Sequence, residues 1–506
     1  MKRLFVIFTI LLSFVISTGF RVTDGKQPVT VKPRTVILTD GEVDDMDSFI
    51  RLLLYSNEFD IAGFIYTSSM WHYAGDGKGT LFSSQMEMSA RIYNKPRTDL
   101  RWTGTNWMEE LIAKYSAVYG NLLKHDKNYP TPDYLKSLIR IGNIDFEGEM
   151  AYNTKGSDFI KEILMENKPG PVYFQAWGGA NTLARALKSI EEENRSSADW
   201  KNIYKRVSDK IVMYNILDQD ATTKKYINVN WPEIKIINNF AQFWCFAYAW
   251  PRVVPAPVKS LLEGEWMVQN IKFNHGPLLE NYYCWGDGQF TKGDPENVMG
   301  SPEEAQKQNH ARYDFISEGD SPSYLYLLDF GLRNLDDPSF GGLGGRFVPS
   351  ALNPKTWEDG AAVTDLDPYT GKQEPGYPQV RWISVLQNDF AARANWCVKE
   401  FAETNHAPVV MLNHSDRLEA KPGTKITLSS TATDPDGNSL SYSWWQYREA
   451  GSYKGEVQIA GNDKNEASLI VPADAVKGQT IHIILEVKDN GAPVLTRFRR
   501  VVITRV

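Results

Sequence analysis

Val-Ile-Leu-Thr-Asp-Gly-Glu-Val-Asp-Asp, residues 36–45, is the stretch that decides the fold class. A short apolar strand leads directly into four carboxylates, and a helical apolar pattern follows over residues 49–54. Carboxylates at the carboxyl end of a strand lie where open α/β sheets bind ligands. Carboxylates this close together repel one another unless protons or a cation neutralise them. A cluster that offers only oxygen ligands favours a hard cation such as Ca²⁺ or Mg²⁺. The alternative is a charged turn in which Asp44 or Asp45 caps the helix.

Strand and helix patterns alternate outward from this stretch. This alternation predicts an α/β domain with an open, mostly parallel sheet and helices on both faces. Predicted strands cover residues 35–39, 61–67, 172–176, 210–215 and 234–238, and predicted helices cover 182–190 and 221–229. Residues 258 to about 400 are rich in Gly, Trp, Tyr and Asp, and they give a clear helix only near residues 384–400.

The pattern changes at about residue 405, where apolar residues begin to alternate with period two. Turn sequences such as Asp-Pro-Asp-Gly at 434–437 separate these segments. Short strands at regular spacing over about 100 residues predict a C-terminal, all-β immunoglobulin-like sandwich, here residues 405–506. The predicted strands are 425–429, 440–445, 467–471, 481–487 and 497–504.

The first 19 residues predict a secretory signal peptide. Lys2 and Arg3 precede an apolar run over residues 4–16, and Ser17, Thr18 and Gly19 follow. We therefore expect a mature protein that is secreted or periplasmic; the alternative is an uncleaved N-terminal anchor. After this segment no apolar run approaches the roughly 18 residues of a membrane helix, so no membrane span is expected in the mature chain.

Charge and cysteine content narrow the function classes. The net charge of −7 and the absence of a basic stripe make the chain a poor candidate for binding polymeric nucleic acid. The three cysteines, Cys245, Cys284 and Cys397, are far apart and show no zinc-binding spacing. We expect them to be buried small apolar residues.

Two further segments offer polar groups beside predicted secondary structure. Residues 174–184, Phe-Gln-Ala-Trp-Gly-Gly-Ala-Asn-Thr-Leu-Ala, end a strand in a Gly pair before a helix, where backbone groups can approach a ligand closely. An ordinary strand-to-helix turn explains the same pattern. Residues 317–323, Ser-Glu-Gly-Asp-Ser-Pro-Ser, place Asp320 where a helix N-cap would also be expected.

The first stretch resembles the Asp-Thr-Asp-Pro-Gly-x-Asp-Asp signature of nucleoside hydrolases. It is still more similar to the nucleoside hydrolase-like domain of a cellulose-binding protein family from polysaccharide-degrading bacteria. Asp40, Asp44 and Asp45 match the second, third and fourth aspartates, and Leu38 stands in place of the first. The resemblance covers residues 33–404, and the companion sandwich of the same family covers 405–506.

The resemblance implies a Ca²⁺ site and a set of roles. Asp40, Asp45, Asp320 and the backbone carbonyl of Trp177 would bind the ion. Asp40 would also be the general base, and Asp44 would hydrogen-bond the sugar or the attacking water. Gly319 replaces a His that helps the nucleobase to leave in nucleoside hydrolases. This departure leaves O-glycosides and plant-polysaccharide fragments open as substrates beside N-glycosides.

Three other residues are weaker candidates for substrate binding. Asn215 ends a predicted strand and matches a sugar-binding Asn of the family. Trp71 follows the second predicted strand and suits stacking on a sugar, although an aromatic residue there is as often packing. His72 suits proton donation because its pKa lies near neutrality, although a lone His is more often structural.

The sequence therefore predicts a secreted, Ca²⁺-dependent glycosidase with a carbohydrate or nucleoside-like small substrate. The alternative is a catalytically inactive protein that binds cellulose or another plant polysaccharide on the same scaffold, because fold alone does not determine function. A structural or adhesion protein is a third hypothesis, and it predicts no metal at the aspartates.

Overall fold

Strand β1 (Arg34–Thr39) is central to an eight-stranded sheet in a computed structural model that describes residues 32–506. Val36 and Leu38 pack into the hydrophobic core on one face, and Ile37 packs into the core on the other. Alternate side chains of a strand point to opposite faces, so a continuous apolar run fits a strand that is buried on both sides. The predicted signal peptide, residues 1–19, lies outside the described residues.

The sheet is parallel except at one edge, where β7 pairs antiparallel with β8. Its order is β3-β2-β1-β4-β5-β6-β8-β7. The other strands are β2 (Asp60–Tyr66), β3 (Ile139–Ile141), β4 (Val172–Ala176), β5 (Ile211–Ile216), β6 (Lys235–Asn239), β7 (Val348–Pro349) and β8 (Thr356–Glu358). A separate hairpin pairs β9 (Asp365–Asp367) with β10 (Lys372–Glu374).

Helices cover both faces of the sheet, which confirms the predicted α/β class. Helices α1, α3 and α16 contribute to one core, and α5, α6 and α7 to the other. Their bounds are α1 (Val43–Leu54), α2 (Glu87–Ile92), α3 (Trp107–His125), α4 (Pro132–Ser137), α5 (Lys155–Met165), α6 (Asn181–Asn194), α7 (Trp200–Lys210), α8 (Asn228–Asn230), α9 (Trp250–Val253), α10 (Ala256–Lys259), α11 (Gly264–Met267), α12 (Pro277–Glu280), α13 (Pro302–Lys307), α14 (Ser321–Leu325), α15 (Tyr377–Val380) and α16 (Ile383–Trp396).

The C-terminal region forms two four-stranded sheets, as the alternating pattern predicts. Their orders are β11-β13-β16-β15 and β12-β18-β17-β14, and they enclose one apolar core around Trp444. The strands are β11 (Val409–Leu412), β12 (Arg417–Ala420), β13 (Lys425–Thr433), β14 (Ser441–Gln446), β15 (Ile459–Ala460), β16 (Glu466–Ile470), β17 (Thr480–Lys488) and β18 (Thr496–Arg505).

The sandwich shares part of its core with the α/β region, and Pro33–Val506 forms one compact unit. Tyr447 and Phe498 of the sandwich belong to the same buried cluster as residues of α1 and α16. Phe498 also donates its backbone N–H to the carbonyl of Phe330 at 2.9 Å. Within residues 32–506, no helix combines the length and apolar character needed to cross a bilayer.

The predicted helix over residues 221–229 differs in detail from the structure. The chain forms a π-helical turn at Thr223–Ile227, and α8 adds three residues after it. Ala221 has a left-handed backbone (φ 60°), and Asp220 accepts the backbone N–H of Thr222. A side chain that bonds its own backbone competes with regular helix formation, which accounts for the irregular start.

Candidate active site

The candidate site lies at the switch point of the sheet. The chain runs outward from β1 through β2 to β3 and then returns to β4 on the other side of β1. In open α/β sheets, ligands bind outside the carboxyl ends of the strands at such a reversal. Asp40 follows β1 and Trp177 follows β4, so both predicted site segments reach this crevice.

Helix α1 begins immediately after the Asp40 turn and presents two carboxylates in its first turn. Glu42 occupies the N-cap position without a side-chain capping bond, and Asp44 and Asp45 follow. The hydroxyl of Thr39 donates to Asp45, and that of Ser317 donates to Oδ2 of Asp44 at 3.2 Å. The positive end of the helix dipole favours negative charge at this place.

Asp320 reaches the same place from a distant part of the chain. Carboxylate oxygens of Asp44, Asp45 and Asp320 all lie within 4.8 Å of one another, and all three residues are buried. Asp320 precedes α14, yet its side chain makes no capping bond, so its carboxylate remains available to a ligand. These three residues are called the aspartate trio below.

A buried ion pair fixes the loop that carries Asp320. Nε of Arg51, on α1, donates to Oε2 of Glu318 at 2.6 Å, and both side chains are fully buried. The hydroxyl of Ser321 donates to the same oxygen at 2.7 Å, and the hydroxyl of Tyr282 donates to the other. Because α1 also carries Asp44 and Asp45, this pair holds the trio on a single rigid support.

Burial and mutual repulsion raise the pKa values of the trio. Burial raises the pKa of Asp44 to about 8, and the charges of Glu42 and Asp40 contribute. Burial and the neighbouring aspartates also raise the pKa values of Asp45 and Asp320 well above the usual range. Groups in this state are stabilised by protons or by a cation, and an opposite charge restores their ionised form.

The trio meets the requirements of a hard divalent cation. Ca²⁺ takes oxygen ligands at 2.3–2.6 Å, so two ligands of one ion are at most about 5 Å apart. The trio provides only oxygen donors, and its spacing falls within that limit. Two members of the trio, Asp45 and Asp320, belong to the predicted ligand set, and the trio adds Asp44; the predicted ligand role of Asp40 stays a prediction.

Asp40 also faces His72. Its Oδ2 lies 3.8 Å from Nδ1 of His72, while Nε2 of that imidazole lies 3.5 Å from Oδ2 of Asp294. Neither Oδ2 of Asp40 nor either ring nitrogen has a hydrogen-bond partner within residues 32–506, although all three atoms are buried. Buried polar atoms are normally satisfied, so these are open positions for a ligand or for water.

The surroundings lower the pKa of Asp40 and raise the pKa of His72. Burial alone would raise the pKa of Asp40, but the nearby imidazole of His72 outweighs burial and lowers the pKa. Burial alone would lower the pKa of His72, but Asp294 and Asp40 raise it to about 9. An ionised carboxylate therefore faces a protonated imidazole at neutral pH, an arrangement that separates a base from an acid.

Arg101 completes this side of the site, and sequence reasoning missed it together with Asp294. Its Nε and Nη2 donate to the two oxygens of Asp294 at 2.9 and 2.7 Å, and Nη2 lies 3.7 Å from Glu42. The hydroxyl of Tyr248 also donates to Glu42, at 3.0 Å. Both missed residues lie in irregular segments, where no periodicity or motif marks them.

Two glycines give the carboxylates their space. A Cβ on Gly178 would lie 2.7 Å from Cβ and Cγ of Asp40. A Cβ on Gly319 would lie 2.7 Å from Oδ2 of Asp44. A side chain at position 319 would therefore require the carboxylate of Asp44 to move.

The other predicted residues lie near the crevice with different contacts. The carbonyl of Trp177 accepts a hydrogen bond from Nε2 of Gln219 and retains one lone pair. The amide of Asn215 donates to Asn238 at 3.0 Å and to Thr223 at 3.3 Å. These contacts leave the predicted ligand role of Trp177 and the predicted sugar-binding role of Asn215 as predictions.

Trp71 is half-buried, and its ring packs edge-on against Tyr93 with the centroids 6.3 Å apart. It borders an aromatic cluster that includes Tyr73, Phe82 and Phe146. Its predicted role in stacking on a sugar stays a prediction. The three cysteines are buried and free, as expected.

Comparison with known families agrees with this geometry. Residues 34–347, more than half of the chain, match the family described as cellulose-binding Sde182, nucleoside hydrolase-like domain. The chain belongs to this family. Residues 425–505 match the C-terminal domain of the cellulose-binding protein Sde0182. No protein with a curated description matches the chain.

A solved structure extends the family match over both regions. It is a nucleoside hydrolase-related protein from Saccharophagus degradans that is associated with carbohydrate metabolism. The two chains are 27% identical with a TM-score of 0.69, and the match covers 94% of this chain and 100% of the other. The family assignment and this neighbour both place the chain on a nucleoside hydrolase-like fold.

More distant structural matches are weaker. A plant nucleoside hydrolase is 10% identical with a TM-score of 0.31, covering 72% of this chain and all of its own. The effector protein XOO4466 is 11% identical with a TM-score of 0.33, covering 73% of this chain and 95% of its own. Similarities at this level carry no argument about function.

Proposed function

We propose that this chain is a secreted glycosidase that depends on Ca²⁺ and hydrolyses an N-glycosyl or O-glycosyl bond. The single observation that carries the proposal is the convergence of the aspartate trio at the switch point, within 4.8 Å, beside the Asp40–His72 pair. Apolar residues of similar size would stabilise this part of the fold at least as well as three buried carboxylates with raised pKa values. A bound cation would account for the presence of the carboxylates.

Asp44, Asp45 and Asp320 would hold the ion, and the Trp177 carbonyl would be a further ligand. When bound, a divalent cation supplies Lewis-acid chemistry that makes water a nucleophile at neutral pH. Asp40 remains ionised, and its Oδ2 has no partner within the described residues, so it is the group that accepts a proton from water. It was also the predicted general base.

His72 is the candidate proton donor to the leaving group. It is buried, protonated at neutral pH, and oriented by Asp294 on one side and Asp40 on the other. Arg101 keeps Asp294 ionised by a bidentate contact, which in turn keeps His72 charged. In this assignment His72 takes the role of the histidine that nucleoside hydrolases are expected to have at the position of Gly319.

A carbohydrate-binding protein without turnover is the second candidate. The matched family is described as cellulose-binding. The aspartate trio and Asp40 are almost completely buried, and the most exposed of them, Asp44, is 8% exposed. A binding protein would use the ion to chelate sugar hydroxyls and would release no product.

Turnover separates the two candidates. A panel of nitrophenyl glycosides and nucleosides would be incubated with the protein in Ca²⁺ and in chelator, followed by calorimetric titration with cello-oligosaccharides. Chelator-sensitive product release supports the glycosidase. Metal-dependent oligosaccharide binding without product on any substrate supports the binding protein instead.

A further inference from the structure

A cavity of about 810 Å³, separate from the crevice at the switch point, lies between the α/β region and the sandwich. Phe340 and Arg346 line it from the α/β side, and Arg448, Lys454 and His482 line it from the sandwich. None of the aspartate trio, Asp40 or His72 is among its lining residues. It is called the basic cavity below.

The lining carries more available positive than negative charge. The side chain of Arg448 makes no hydrogen bond or ion pair within residues 32–506, and Nζ of Lys454 donates only to backbone carbonyls, at 2.7 and 3.2 Å. Two carboxylates also line the cavity, against the three cationic side chains of Arg346, Arg448 and Lys454, and both carboxylates hydrogen-bond to nearby groups. Glu449 accepts the backbone N–H of Leu366, and Asp337 accepts the backbone N–H and hydroxyl of Ser339.

One buried carboxylate behind the wall serves several partners. Asp365 accepts from Nε and Nη2 of Arg346 at 3.0 and 2.7 Å and from Nη1 of Arg381 at 2.7 Å. It also accepts the hydroxyl of Tyr447 at 2.6 Å. Two guanidinium groups thus share a single counter-charge, and the balance remains positive.

Arg500 adds a buried guanidinium with no carboxylate partner within the described residues. It donates to the carbonyls of Leu332, Phe340 and Gly341 and, at 2.9 Å, to Nδ1 of His482. Buried charges are normally paired, because an unpaired ion loses its hydration without compensation. Together with Arg346, Arg448 and Lys454, this unpaired guanidinium leaves the wall of the basic cavity with more positive than negative charge.

We propose that the basic cavity binds a carboxylate-bearing sugar, the uronate class of oligosaccharide. Guanidinium groups match carboxylates through paired N–H donors. Phe340 offers an aromatic surface, and the side chains of Ser452 and Thr480 line the same space with hydroxyls. A cavity of this size accommodates a ligand larger than an inorganic anion. The proposal is independent of any hydrolytic activity at the aspartates.

Isothermal titration of the full chain with digalacturonate, cellobiose and inorganic phosphate tests this assignment. We expect digalacturonate to bind more tightly than either cellobiose or phosphate. Arg448→Gln and Lys454→Gln should each weaken digalacturonate binding by about tenfold, the effect of losing one charge-assisted hydrogen bond. Lys205→Gln is the matched control, because Lys205 is exposed on α7 and pairs with Asp209.

Several results would overturn the proposal. Absence of digalacturonate binding to the wild type would do so, as would unchanged binding in the Arg448→Gln/Lys454→Gln double variant. Phosphate binding as tight as digalacturonate would reduce the cavity to a simple anion site. Asp320→Asn distinguishes this site from the aspartate site, since it should leave digalacturonate affinity unchanged even where it abolishes metal binding.

Discussion

Oδ2 of Asp44 lies so close to Gly319 that a Cβ added to this glycine would be only 2.7 Å from that oxygen. Real Cβ atoms essentially never approach this closely. The loop that delivers Asp320 therefore passes so close to α1 that any side chain at position 319 would require the carboxylate of Asp44 to shift.

Gly319→Ala should weaken divalent-cation binding at least tenfold, because the methyl group displaces the carboxylate of Asp44. Isothermal titration with Ca²⁺ measures the effect. Gly120→Ala is the matched control, since a Cβ at Gly120 on α3 meets nothing within 4 Å and alanine favours a helix. Equal Ca²⁺ affinity in Gly319→Ala and wild type would refute the steric argument.

Asp320→Asn should have opposite effects with and without metal. In chelator, removing one of three mutually repelling buried carboxylates should stabilise the protein by roughly 1–3 kcal/mol, the range for a poorly satisfied buried group. With Ca²⁺ present, the variant should lose the metal-dependent rise in unfolding temperature. Thermal unfolding in both conditions measures these changes, with the exposed Asp463→Asn as control. A variant that is less stable in chelator would contradict the repulsion.

His72→Asn should separate catalysis from metal binding. Loss of a positioned proton donor typically costs 10²–10⁴-fold in rate, and we expect kcat to fall within that range. Ca²⁺ affinity should change by less than about threefold, because His72 contacts Asp40 and Asp294 rather than the trio. His414→Asn is the control, since the half-buried His414 lies in the sandwich and not among the aspartates. Unchanged kcat would remove His72 from the mechanism.

His482 should make the protein less stable in acid. Burial and the charge of Arg500 lower its pKa from 6.5 to about 3. Below pH 6.5 the unfolded chain takes up a proton that the folded chain refuses, so stability falls as pH decreases from 6.5 towards 3. Between pH 7 and pH 5 the free energy of unfolding should fall by about 2 kcal/mol for this reason.

His482→Asn keeps an acceptor for Arg500 and should remove this part of the pH dependence. Urea unfolding of wild type and variant at pH 7 and pH 5 gives the difference directly, because other titrating groups are common to both proteins. A pH effect of the same size in the two proteins would show that His482 is not buried in its neutral form.

The five inner strands of the sheet, β1, β2, β4, β5 and β6, were predictable from sequence because they are largely buried. The outer strands β3, β8 and β7 were missed, since each has only two or three residues. Continuous apolar runs such as residues 36–38 identify β1 to within one residue, and residues 172–176 identify β4 without error. The sandwich strands followed from period-two alternation. β11, β12 and β15 were missed, since each has only two to four residues and too little alternation to distinguish it from a loop.

The site was only partly predictable. Asp40, Asp44 and Asp45 are close in sequence. The approach of Asp320 to them was expected only from the resemblance to nucleoside hydrolases, since the residues around Asp320 by themselves also fit a helix N-cap. Residues from irregular segments were not found, because Arg101 and Asp294 join the site through contacts across 193 positions of sequence. The inclusion of Asp44 in the trio also depends on side-chain direction, which spacing does not determine.

The most direct test of the account is hydrolysis of the glycoside and nucleoside panel by wild type and Asp40→Asn, each in Ca²⁺ and in chelator. Asp40→Asn keeps the shape that Gly178 accommodates while removing the base. The account predicts product release by the wild type in Ca²⁺ and its loss both in chelator and in the variant. Product release that survives chelator or persists in Asp40→Asn would contradict a metal-dependent site with Asp40 as its base.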